Sequence, residues 1–152
     1  MRAAIRRMAL GWLLAAPLLS MACSDDTPTG PQFGDLEFTP PFSDIELARQ
    51  SSSVLSNAGS VALGPIVVGA ALGVGIGPIS GRVCPDMQTD VAPSSIATLS
   101  PGASAQVQIV VDMSAVDPAD CPAGSYDIDI TASVGGLGLA ATTVRIDWLG
   151  DN

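Results

Sequence analysis

The chain has no histidine and no lysine; its six basic residues are all arginines. Without an imidazole, Ser/His/Asp and Cys/His nucleophilic catalysis is excluded, and so are the common zinc sites. Aromatic residues make up only 4% of the chain, with two tryptophans and one tyrosine, so few rings are present to stack on a sugar. Carboxylates are plentiful, but a glycosidase needs two of them converging in a cleft lined by sugar-binding groups. The expectation is a protein that is not an enzyme and uses no cofactor. Positive charge is scarce too: the formal net charge is −9. Affinity for nucleic acid rests on Lys and Arg neutralising phosphates, so no nucleic-acid partner is expected, and an anionic membrane surface offers no attraction. Acidity of this kind serves solubility or, at most, a divalent cation.

What is present begins with Arg2, Arg6 and Arg7 followed by the apolar run "MALGWLLAAPLL". A basic start and about a dozen apolar residues have the layout of a secretory signal peptide, and the run is short of the roughly 20 residues that span a bilayer. It ends in "LSMACSDD", which resembles the lipobox of bacterial lipoproteins, with Ala22 before Cys23 and Ser20 where that family usually has leucine. The resemblance implies cleavage after residue 22 and acylation of Cys23, whose acyl chains would hold the protein to a membrane. Ser24, in the place where aspartate tends to retain such proteins in the inner membrane, implies the outer membrane or the cell surface. Removal of residues 1–22 takes three arginines and leaves 3 − 15 = −12.

With Cys23 acylated, Cys84 and Cys121 remain in an exported chain. An isolated pair in an oxidising compartment reads as one disulfide. Both cysteines precede proline, which places them in loops or at strand ends.

Residues 24–41, "SDDTPTGPQFGDLEFTPP", are rich in Pro, Gly and Asp. Residues 23–41 are therefore read as an acylated tether, reaching about 55 Å at most. Within it Phe33, Leu36 and Phe38 are positioned to dock as an edge strand. Residues 42–150 suffice for one core. Ala105, Val107, Ile109, Val111 and Met113 alternate with polar residues, as do Tyr126, Ile128, Ile130, Ala132 and Val134, and then Thr142, Val144, Ile146 and Trp148. That period of two, with β-branched residues, marks three half-buried strands. "SPG" at 100–102 and "GGLG" at 135–138 are turns, while "SAVDPADCPAG" is too long for a tight hairpin and suits a crossing between sheets. Tyr126 either closes a corner by bonding its hydroxyl to nearby backbone or buries its ring and leaves the hydroxyl in water.

The succession "PSSIATLSPGASAQVQIVVD…PAGSYDIDITAS…TTVRIDW" resembles the second half of bacterial immunoglobulin-like domains. "SNAGSVALGPIVV" is similar to a hairpin of the abnormal-spindle-like group, with Asn57, Gly59, Ser60, Leu63 and Ile66 at the matching positions. The resemblance implies an all-β, immunoglobulin-like β-sandwich of about seven strands. It brings no catalytic residue, and it points to a structural, adhesive or partner-binding module whose partner is an envelope protein or a glycan. A carbohydrate- or calcium-binding accessory lipoprotein is the alternative. Asp112, Asp117 and Asp120 surround one loop as calcium candidates, without the "D-x-D-x-D-G" pattern of a tight site.

"GPIVVGAALGVGIGPISG" at 64–81 has no charge. It lacks the spacing of a phosphate loop and any following basic residue, and its prolines and glycines dilute a membrane helix. Gly69, Gly73, Gly77 and Gly81 would line one face of a glycine-zippered helix in an oligomeric membrane component, but Pro78 interrupts it. Leu72, Val74 and Ile76 alternate instead with Gly73, Gly75 and Gly77, the rhythm of a strand with one bare face. That bare face is a candidate partner-facing surface.

Overall fold

Alternating apolar positions in the C-terminal third become the long strands of a two-sheet sandwich. The computed structural model describes residues 30–45 and 49–150; Cys23 and the signal-like segment lie outside them. The strands are β1 Leu36–Phe38, β2 Gln50–Asn57, β3 Ile66–Ala70, β4 Val74–Gly75, β5 Gln88–Ala92, β6 Ser95–Ile96, β7 Ser104–Asp112, β8 Gly124–Val134 and β9 Leu137–Trp148. Among the described residues these nine exceed the expected seven because β4 and β6 are two-residue pieces. One sheet has the order β1-β2-β7-β5; in the other β8 lies between β9 and the β3–β4 edge, and β6 flanks β3. All strand pairs are antiparallel.

Val107, Ile109, Val111, Tyr126, Ile128, Ile130, Ala132, Val144, Ile146 and Trp148 are all buried, so the period of two placed the core correctly in β7, β8 and β9. Gly135 and Gly136 turn β8 into β9 with φ of 58° and 85°. Two consecutive residues of positive φ match the twist of a tight hairpin, and glycine adopts them without a Cβ clash. The 113–123 loop carries the chain from the β7 sheet to the β8 sheet, as its length suggested.

The folded body begins earlier than residue 42. Leu36 and Phe38 are buried in β1, paired with β2, so this part of the expected tether belongs to the sandwich, while Phe33 stays exposed. The chain then changes sheet: Ile45 bridges Ile146 in parallel, its N–H donating to the Arg145 carbonyl. Gly34 N–H donates to Leu139 O, so the outer edge of β9 is covered from both ends. On β2, Ser51 and Ser53 are buried, yet Ser51 meets Ser43 and Ser53 donates to Pro40 O. Those bonds fasten the crossing segment to β2 and satisfy hydroxyls that burial would otherwise penalise.

Candidate functional site

One end of the sandwich is locked. Cys84 and Cys121 are joined by a disulfide and fully buried. The two carbonyls at the Cys121–Pro122 turn are each held by an aromatic side chain: Trp148 Nε1 donates to Cys121 O at 3.0 Å and the Tyr126 hydroxyl to Pro122 O at 2.8 Å. Of the two readings for Tyr126, the corner is the one realised. Its ring is completely buried, and that burial raises the phenol's pKa above its ordinary value, partly opposed by the Arg82 charge.

At the end of β2, where the connection to β3 begins, Asn57, 1% exposed, organises the turn. Its amide nitrogen donates to Val61 O and Leu99 O, and its Oδ1 accepts from Gly59 N–H. The sequence marked Asn57 only as a matching position; its role becomes visible once Leu99, far along the chain, is brought beside it.

The calcium candidates do not assemble. Asp112 accepts from Ser114 N–H at 2.9 Å, which holds its carboxyl below the ordinary pKa, and Asp117 accepts from Ala119 N–H at 2.8 Å. Among the described residues no three carboxylates, cysteines or histidines are grouped to hold a metal ion. On the outer face of β8 and β9, Arg145 makes a paired contact with Asp127, which raises the arginine's pKa, and Thr143 donates to Asp129. These cross-strand pairs sit in register and bind carboxylates to their own sheet.

The glycine-rich stretch forms β3, β4 and a short 3-10 turn at Gly77–Ile79, which rules out a zippered helix there. Among the described residues no helix is long and apolar enough to cross a membrane. The expected partner-facing glycine face is corrected. Gly73 and Gly75 are buried, whereas Leu72 and Val74 are exposed. A Cβ on Gly73 would lie 2.9 Å from Met87 Sδ, and one on Gly75 would lie 2.4 Å from Ile79 O and 3.1 Å from its side chain. Methionine and isoleucine from neighbouring segments fill the volume that the glycines leave. Of the three glycines of that expected face, Gly77 alone meets open space, at φ 63°.

A further surface feature lies at the opposite edge of the β8 sheet. β3 and β4 follow one another along β8 with one extra residue between them, since Ala70 pairs with Ile130 and Val74 with Asp127. Beside this interruption lies a cleft of 290 Å³, lined by Ala70–Leu72 on one side and by Pro85 and Met87–Asp90 on the other. Thr89 lines it with a buried hydroxyl that has no hydrogen-bond partner. A lone orphan of this kind is uncommon in a folded interior.

No protein-family model and no curated protein matches the chain. Among solved structures it is similar to the ASH / PapD-like domain of human CEP192 (PapD-like domain 7), with a TM-score of 0.50 and 14% identity, covering 97% of this chain and 100% of that one. It also matches the secreted serine protease VesC from Vibrio cholerae (TM-score 0.49, 13% identity, 75% of this chain), of which it spans 23%. A family 123 glycoside hydrolase from Clostridium perfringens matches at a TM-score of 0.37 and 11% identity, over 78% of this chain and 21% of that one. The likeness to the PapD-like domain agrees with the immunoglobulin-like sandwich built above.

Proposed function

We propose that this chain is a lipid-anchored envelope protein whose sandwich acts, without catalysis, as a structural, adhesive or partner-binding module. The observation that carries the reading is the buried Cys84–Cys121 disulfide in a chain whose start resembles a lipoprotein signal. Disulfides persist in oxidising compartments, so the bond and the start support the same address by independent routes. In this reading acyl chains on Cys23 fix position, the residues after it set reach, and the sandwich presents its edge and loops. The fold alone does not select the partner, because function lives in sites grafted on folds.

Photo-crosslinking in intact cells tests it, with a benzophenone side chain at exposed Leu72 or Val74. A discrete adduct that disappears when Cys23→Ala mislocates the protein is expected. Only uncrosslinked protein, unaffected by Cys23→Ala, would contradict the reading.

A further inference from the structure

The outer edge of β3 is covered at both ends and open between them. Near its start β6 pairs with Ile66 and Val67, and Val68 N–H donates outward to Ser94 O. Cover resumes at Gly73, whose carbonyl accepts from Cys84 N–H. Ala71 N–H points the other way, to Asp129 O on β8. Backbone groups alternate sides along a strand, so Ala70, two residues on from Val68, turns its N–H and C=O outward into the gap. Residues 69–72 span roughly 13 Å at about 3.3 Å per residue, room for one short strand.

The cleft described above lies along this gap. Its walls supply what a strand's side chains need: Leu72 and Pro85 are apolar and exposed, Met87 closes the floor, and Asp90 is an exposed carboxylate at the rim. An uncovered edge between two paired stretches is a template for added strands. Charge decides what adds. Two copies apposed at this edge would bring their Asp90 carboxylates together, on chains of net charge −9 each. A basic partner meets the opposite condition.

We propose that the gap at residues 69–72 takes an extended segment of a partner protein as an added strand, pairing with the Ala70 backbone, placing alternate apolar side chains against Leu72 and Pro85, and setting a lysine or arginine on Asp90. The proposal rests on the binding-module reading and names its site and the partner's chemistry.

An array of six-residue peptides tests it, alternating valine, isoleucine or leucine with serine or threonine. Each carries one lysine, and a matched array carries glutamate instead; both are probed with the full chain. Retention of lysine members, with the Ala70 and Leu72 amide resonances shifting on titration, is expected. Ala70→Pro removes the outward N–H and leaves the β8 side of the ladder untouched, since edge positions tolerate proline; it should weaken binding at least tenfold. Asp90→Lys, an exposed change, should transfer preference to the glutamate array, and it serves as the test if the proline variant does not fold. Retention of neither array, or binding that both variants leave unchanged, overturns the proposal. If the cellular crosslink described above nevertheless persists, the module reading stands and only the pairing of a basic strand with Ala70 is eliminated.

Discussion

Tyr126 and Asn57 each direct polar side-chain atoms at backbone groups of the turns they close. Tyr126→Phe keeps the buried ring and removes the donor to Pro122 O; a net loss of about 1 kcal/mol is expected in urea denaturation. The same variant isolates a pH effect. Burial raises the Tyr126 pKa, so the fold favours the neutral phenol. Its contribution is complete below the unfolded value near 10 and is lost as pH rises through the folded value. The chain has one tyrosine and no lysine, so stability of the parent should fall above about pH 10 and that of Tyr126→Phe should not. Parallel alkaline curves would contradict the assignment. Asn57→Ala leaves two carbonyls and an N–H without their side-chain partner; about 2–3 kcal/mol is expected, read from the same denaturation curves.

At the scale of elements, the test falls on Gly75 of β4 and Gly77 of the 3-10 turn that follows it. Gly75→Val drives a side chain into Ile79 backbone, and overpacking of this kind costs about 1–3 kcal/mol. Gly77→Ala meets open space and carries only the strain of a positive φ, about 1 kcal/mol. Thermal unfolding should therefore rank Gly75→Val below Gly77→Ala; the reverse order would show that the glycine face is not packed. The same element shows how far sequence reaches. A period of two identifies a strand in residues 72–77 but does not say which face is inward. That is set by Met87 and Ile79, which arrive from other segments to fill the space over Gly73 and Gly75. In β7, β8 and β9 the two faces differ in polarity, so the inward one was legible. β2, "QSSSVLSN", hides because its inward positions include Ser51, Ser53 and Asn57, whose burial depends on partners outside the strand, from Pro40 and Ser43 before it to Leu99 far along the chain. The gap on β3 is equally silent, since it exists only where β6 and the Cys84 arm stop short of each other.

For the whole molecule, the disulfide closes a loop across 37 residues between the end of the β3–β4 arm and the sheet crossing. In the chain-entropy account this stabilises the fold by about 4 kcal/mol. The double variant Cys84→Ser/Cys121→Ser should lose most of that in urea denaturation, and a loss below about 1 kcal/mol would show the bond to be incidental. On the proposed reading the arrangement runs from membrane to partner: an anchor at Cys23, a sandwich that starts by Leu36, a locked end at Cys121 and an open edge at Ala70. The claim beneath all of it is export and anchoring. Intact mass spectrometry of the protein recovered from its own cells tests that most directly. A chain beginning at Cys23, carrying the mass of its acyl chains and two hydrogens lighter for the Cys84–Cys121 bond, is the expected result; a chain retaining residues 1–22, or an unacylated one with a free Cys23 thiol, would contradict the account.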